Sequence, residues 1–444
     1  MANEERPLPL NALTRGMKLA ALPVGFAGRT TLGVGRRLAG APAEAVYQEI
    51  QRRTADQLFA VLGQLKGGAM KFGQAMSIFE AALPDEVAQP YRETLTRLQD
   101  AAPPMPPAVV HRVMADQFGS EWRQRFTSFE DAPAAAASIG QVHRAVWSEA
   151  DSPTDVAVKL QYPGAGKALR ADLRQLGRLG RLFAIIAPAI DVDGIIEELQ
   201  ERVVEELDYT LEAKNQEAFA AEFAGDPNIV IPHVVAHTDQ ALVTTWLEST
   251  GSLAEIIANG TKEERDRFGD LYVRFIFAGP ERTGLLHADP HPGNYRIMPT
   301  GQLGVVDFGA VAHLPDGVPA ELGHILRLAV DGDFDALEAE LRQLGFLRPN
   351  VHLSADAIGR FIGPFVEPAR VDEFTFSREW MRQQVTRVSA PTSEGMGMSL
   401  RINLPREYVL LHRVWVGGIG VLSQLGATAR FRAILEESMP GFAR

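Results

Sequence analysis

A chain of 444 residues is longer than one ordinary domain, so two or three compact units are expected. With 46% hydrophobic and 23% charged residues it has a globular composition, and 56 acidic against 44 basic side chains speak against nucleic acid as a partner. It has no cysteine, which excludes disulfides, thiol nucleophiles, iron–sulfur clusters and cysteine-built zinc sites; any metal must be held by oxygen or nitrogen.

The opening MANEERPLPL is acidic where a secretion signal needs a basic start. The longest apolar stretch, Leu182 to Ile190, is about half of a membrane span. A cytoplasmic protein is expected, one still able to lie at the inner face of a membrane. Residues 1–42 read as a basic flexible arm: Arg15, Lys18, Arg29, Arg36 and Arg37 occur with no acidic residue between Asn11 and Pro42, a pattern suited to anionic lipid or to packing on the protein itself. Residues 43–130 read as a helical extension, with Ala45, Ile50, Leu58, Leu62 and Leu65 on a three–four rhythm. The PPMPP run at 103–107 interrupts it, and helical character resumes over Val109–Phe118.

From about Phe129 the texture changes. Gln141–Val146 and Asp155–Leu160 alternate and are β-rich, which predicts a hairpin. An acidic helix follows over roughly Val192–Phe223, then strand-like runs at Ile229–Val235 and Leu242–Leu247. Beyond Ser252 the chain is mostly helical, apart from a strand–turn–strand stretch near Tyr295–Val306, and Pro349–Gly397 reads as a helical subdomain with a mobile loop. The expected fold is α+β, two lobes with a cleft between them at 131–248 and 249–444.

Chemistry concentrates in H-A-D-P-H-P-G-N at His287–Asn294 and V-V-D-F-G at Val305–Gly309. A carboxylate, an amide five residues on and a second carboxylate after a hairpin are what transfer of an ATP phosphoryl group requires. Asp289 would orient or deprotonate the attacking oxygen, and Asn294 and Asp307 would hold Mg²⁺ with hard oxygens. The Asp-to-Asn gap equals that of the kinase catalytic loop, and D-F-G is complete. Two other readings are a tight turn capped by Asp289 and Asn294, and a hydrolytic metal on His287, Asp289 and His291. Neither accounts for Asp307. Upstream, V-A-V-K at Val156–Lys159 places a lysine on the second hairpin strand, within reach of α/β-phosphates. Ala135, Ala137, Gly140 and Val142 occupy the places of the kinase G-x-G-x-x-G-x-V, so two of its three glycines are alanine, and Ser138 can cap the turn or meet a phosphate.

With K-F-G-Q at Lys71–Gln74, A-A-A-S-I-G-Q-V-H at Ala135–His143, E-L-D-Y-x-x-E-A at Glu206–Ala213 and Arg413, the chain resembles the UbiB (AarF) atypical kinases from about Gly68 to Gly426. The resemblance implies a protein-kinase-like fold with an all-α N-terminal extension carrying the K-x-G-Q motif, with Glu212 as the partner of Lys159. It implies a nucleotide hinge at Thr245–Leu247, and regulation by Lys71 and Gln74 meeting Glu206 and Asp208 over the cleft. It also implies a link to isoprenoid-quinone metabolism and its proteins. Helical geometry puts Asp208 and Glu212 on one face, with Glu206 about 120° away from Glu212. After D-F-G only a short segment precedes helical patterning at Ala320, and no A-P-E occurs, which argues against a peptide substrate.

The expected function is an ATP- and Mg²⁺-dependent atypical kinase or ATPase acting on water or a small or lipid-like acceptor. The alternatives are a small-molecule phosphotransferase of the aminoglycoside or choline kinase type, which lacks K-x-G-Q and the alanine-rich loop, and a non-catalytic ATP-gated scaffold.

Overall fold

The computed structural model describes residues 104–137, 139–148, 152–166, 207–389, 396–399 and 401–443. The basic arm, Lys71, Gln74, Ser138, Glu206 and nearly all of the helical extension lie outside the described residues.

Helix α1 (Pro107–Phe118) starts on a proline in its first turn, where the missing N–H costs nothing, and ends at Gly119 with φ +89°. After a 3₁₀ turn at Trp122–Arg125 come strands β1 (Phe126–Phe129), β2 (Ala135–Ala137), β3 (Gly140–Trp147) and β4 (Thr154–Gln161). Helix α2 (Tyr209–Glu222) and strands β5 (Ile229–Val230), β6 (Val234–His237) and β7 (Ala241–Thr245) follow. An antiparallel sheet runs β1-β3-β4-β7-β6, with β2 paired to β3. The predicted hairpin is β3–β4.

Alternation along β4 divides the lobe. Val156, Val158 and Leu160 point one way, into a cluster with Val110, Val113 and Met114 of α1 and with Trp122, Phe126 and Val243. Lys159 points the other way, towards α2. The sheet is therefore roofed by α1 and floored by α2. It starts at Phe126, before the division drawn at 130, because a four-residue F-T-S-F strand is too short to declare itself by alternation.

Two sequence expectations change here. The run Ile229–Val235 splits into two strands, because Pro232 has no N–H to give a ladder. Strand β5 leaves the first sheet and pairs parallel with a strand of the second lobe. Asp208 does not share a helix face with Glu212. It is the N-cap of α2, and its side chain accepts a hydrogen bond of 3.0 Å from Leu211 N. The acidic helix before residue 207 lies outside the described residues.

The chain crosses from β7 to β8 (Gly251–Ser252) and enters the second lobe through α3 (Leu253–Asn259) and α4 (Lys262–Thr283). Both helices open with capping boxes, Ser252 with Glu255 and Thr261 with Glu264. Strands β9 (Leu285–His287), β10 (Tyr295–Ile297), β11 (Leu303–Val305) and β12 (Val311–His313) carry the catalytic-type motifs. They form two small sheets, β5-β11-β10-β8 and β12-β9. Then come α5 (Ala320–Asp331), α6 (Phe334–Gln343), α7 (Ala355–Ile362), β13 (Phe374–Thr375), α8 (Arg378–Ser389), α9 (Met396–Ser399), α10 (Arg406–Leu425), β14 (Thr428–Ala429) and α11 (Phe431–Ser438). The core gathers around α4, whose Phe268, Tyr272, Phe275 and Ile276 are buried with Val414, Val421 and Leu422 of α10 and Ile434 of α11. No described helix is long and apolar enough to cross a membrane.

Candidate active site

Strand register alone brings three of the expected nucleotide residues into one row. Ala135 of β2 faces Val142 of β3, Val142 faces Lys159 of β4, and Lys159 faces Leu242 of β7. Directly opposed residues share a sheet face, so this row looks towards α2. Ala137 opposes Gly140 at the end of the same hairpin. Gly140 is glycine for a steric reason: a Cβ there would stand 2.0 Å from the carbonyl oxygen of Leu160. Gly140→Ala is expected to destabilise the chain by about 2 kcal/mol, the cost of overpacking against an unyielding backbone, read as a lowered denaturation midpoint.

Across the cleft floor, Lys159 Nζ lies 2.6 Å from Glu212 Oε1 and 3.5 Å from Asp307 Oδ1. Glu212 is almost fully buried, and the Lys159 side chain is 15% exposed. The ammonium also sits 5.2 Å from the centre of the Tyr209 ring. Three elements thus meet on one cation: β4, the first turns of α2 and the D-F-G stretch.

Burial works to strip the Lys159 proton, but Asp307 foremost, then Glu212 and Tyr209, outweigh it and hold its pKa well above the ordinary 10.5. A raised folded-state pKa contributes stability that is complete below the unfolded value and is lost as pH rises through the folded value. Lys159 is therefore expected to stay charged through the neutral range, with loss of its contribution only above about pH 10.4. Denaturant midpoints from pH 6 to 11 check this: Lys159→Met should flatten the alkaline fall, and a lysine titration near pH 8 would contradict it.

The lower half is built by bends. Asp307 has φ +75°, the one positive φ at a non-glycine position among the described residues. Aspartate tolerates that region better than most side chains because it bonds locally, and here Asp307 Oδ1 accepts from Gly309 N at 3.2 Å. The Asp307 carbonyl accepts from His287 Nε2 at 2.8 Å, so the ring of the H-A-D motif fixes the D-F-G backbone. Phe308 is fully buried between Phe219 (5.1 Å) and His287 (5.4 Å), and its carbonyl accepts from Asn215 Nδ2 at 3.3 Å.

Asp289 begins the next turn. Its Oδ1 accepts from His291 N at 3.3 Å, and its carbonyl accepts from Asn294 Nδ2 at 3.4 Å. These bonds form the tight turn that one reading of the sequence expects, and they place Asp289 and Asn294 side by side in it. Tyr272 OH donates to the neighbouring Pro290 carbonyl at 2.9 Å. The hydrolytic-metal reading of His287, Asp289 and His291 finds no support, because no group of three His, Asp or Glu among the described residues is placed to hold an ion. Asn294 and Asp307 do fit Mg²⁺. Both supply hard oxygen, and the bond from Asn294 Nδ2 to the chain leaves its amide oxygen as the donor for a cation.

Leu247 stands where the lobes join. A Cβ on Gly304 of β11 would approach Leu247 Cδ1 to 2.9 Å, so this side chain lies against the second lobe's sheet. Sequence reasoning missed Tyr209, Asn215 and His287 as positioning groups. The available signal was on α2, whose buried face carries Glu212, Asn215 and Gln216 among apolar residues, since polar groups are seldom buried without a partner. It also missed a buried chain on β3: Gln141 Oε1 accepts from Met105 N (2.7 Å), Gln141 Nε2 meets His143 Nε2 (2.7 Å), and His143 Nδ1 meets the Glu130 carbonyl (2.8 Å).

The ABC1 atypical kinase-like domain matches residues 97–341. The chain is 28% identical to the atypical kinase coq-8 of Caenorhabditis elegans, covering 78% of this chain and 46% of the relative. To the atypical kinase COQ8 of Saccharomyces cerevisiae it is 27% identical, over 86% of this chain and 75% of the relative. To ACTIVITY OF BC1 COMPLEX KINASE 1 of Arabidopsis thaliana it is 31% identical, over 69% and 45%. The chain spans about half the length of the worm and plant relatives. A solved structure of Rv3197 with erythromycin, from Mycobacterium tuberculosis, superposes with a TM-score of 0.70 at 43% identity, over 91% of this chain and all of the other. On the domain match, the two-lobed fold and the shared motifs, the chain belongs to the ABC1 (UbiB/COQ8) family of atypical kinases.

Proposed function

We propose that the cleft binds ATP with Mg²⁺ and that the protein is an ATPase or a phosphotransferase to a small or lipid-like acceptor. The observation that carries this reading is the convergence of Glu212 and Asp307 on Lys159, at 2.6 and 3.5 Å, from opposite lobes. A phosphate group entering the cleft would find a charged donor already in place and held by a buried carboxylate. Ala135, Ala137, Ser138, Gly140 and Val142 would cover the phosphates, and Leu247 would border the adenine.

Asp289 would accept the proton of the attacking hydroxyl or water, or orient it. Its carbonyl, bonded to Asn294, and the Tyr272–Pro290 bond keep that carboxylate at a fixed place in the turn. Asn294 and Asp307 would hold Mg²⁺, which supplies charge neutralisation to the phosphates when bound. His287 holds Asp307 through its backbone and touches no reactant in this scheme. Lys71 and Gln74, together with Glu206 and Asp208, would govern access to the acceptor side. Asp208 already caps α2, so any such contact would bear directly on the helix that carries Glu212.

ATP turnover by the full chain, with and without Mg²⁺, anionic liposomes and phenolic quinone precursors, tests the reading. Mg²⁺-dependent turnover raised by liposomes and phenols supports a membrane-surface enzyme of quinone metabolism. Nucleotide binding with no turnover under any condition favours the ATP-gated scaffold. A second ligand class has an observation of its own: the 43% identical Rv3197 was solved with erythromycin. Saturable macrolide binding by this chain, measured by calorimetry, would support that reading, and its absence at millimolar macrolide would remove it.

A further inference from the structure

In the glycine-rich loop of a kinase the tip covers the phosphates as a movable flap. Here the tip is fastened. Ile139 follows Ser138 at the turn between β2 and β3, and although it occupies a loop tip it is only 3% exposed. It is buried in a cluster with Tyr209 and Ala213 of α2 and Leu242 of β7, with Ala165, Leu207 and Val234 packed around them. Its carbonyl accepts from Tyr162 N at 2.9 Å, immediately beyond β4. The next residue, Gly140, brings the hairpin so close to β4 that no Cβ fits. A side chain, a carbonyl and a glycine contact thus hold the same tip.

We propose that Ile139 is a positioning residue that latches the nucleotide loop to the first turn of α2, so that the loop and the Lys159–Glu212 pair are set as one unit. This rests on the ATP reading and specifies how that site is organised. Tyr209 is the shared part: one aromatic ring packs in the Ile139 cluster and lies over the Lys159 ammonium, one turn before Glu212. When α2 moves away, Tyr209 withdraws from Ile139 and Glu212 withdraws from Lys159. When the loop lifts, the first turn of α2 loses the apolar contact that buries Tyr209. Coupling of this kind is reciprocal, so loosening either element must loosen the other.

The test uses the full chain with Ile139→Ala, Ile139→Val and Tyr209→Leu, read by amide hydrogen exchange at 135–142 and 209–216 and by the Kd for a non-hydrolysable ATP analogue with Mg²⁺. Ile139→Ala should speed exchange in both segments, and Tyr209→Leu should speed it in the loop. If release leaves the competent loop populated about a tenth of the time, the Kd rises about tenfold. Ile139→Val keeps the β-branched contact and should restore both readouts to within about twofold of wild type, which also guards against an alanine variant that fails to fold. Faster exchange confined to 135–142, with 209–216 and Kd at wild-type values, would overturn the latch. Should the wild-type chain bind no nucleotide, the ATP reading fails, and the two exchange segments still decide the latch.

Discussion

Asp307→Asn is expected to lower Mg²⁺-dependent ATP turnover at least about 100-fold while the chain stays folded, with a denaturation midpoint within a few degrees of wild type. The asymmetry follows from what the substitution keeps. The backbone at Asp307 sits at φ +75°, and asparagine tolerates that region as well as aspartate does. The bond from Gly309 N survives, since an amide oxygen accepts it too. So does the bond from His287 Nε2, which goes to the main chain. What disappears is one negative charge, 3.5 Å from Lys159, at the place where a divalent cation would be held. Turnover with and without Mg²⁺, alongside thermal denaturation, checks this. Native turnover in the asparagine variant would remove Asp307 from the proposed chemistry.

The second large effect is on stability. Glu212→Ala is expected to cost about 3 kcal/mol, because it leaves a buried ammonium with only its longer ion pair, to Asp307. The double variant Lys159→Met with Glu212→Leu should be more stable than Glu212→Ala alone, since the buried ammonium and its buried carboxylate leave together and the Asp307 carboxylate that remains is 30% exposed to water. Both variants should lose turnover. Urea denaturation separates the two effects: equal destabilisation by the single and double changes would mean that the pair contributes nothing specific to the fold.

Much of the candidate site was legible because its residues fall in short, ordered spacings. Lys159 lies at an alternating position of a strand, and Asp289, Asn294 and Asp307 fall in a hairpin region whose order matches a phosphoryl-transfer cleft. Register then did what spacing could not, placing Ala135, Val142 and Lys159 in one row. Less legible were features that depend on tertiary company. Ile139 reads as an ordinary loop residue until α2 is packed beside it. Tyr209 carries no local sign that it will cover a lysine fifty residues upstream. Asp208 looked like a helix-face residue because period alone does not mark where a helix starts; capping geometry does. Ile229–Val235 looked continuous because strand propensity is blind to which sheet a strand joins. The K-x-G-Q segment and Glu206 lie outside the described residues, so their part in the cleft stays with the proposal.

A structure of the full chain with a non-hydrolysable ATP analogue and Mg²⁺ decides whether the cleft is a nucleotide site. Adenine is expected beside Leu247, phosphate oxygens within hydrogen-bond reach of Lys159 Nζ, and a cation at about 2.1 Å from oxygens of Asp307 and Asn294. A nucleotide bound away from the cleft, or a cation held by other side chains while Lys159 still faces only Glu212 and Asp307, would contradict that expectation.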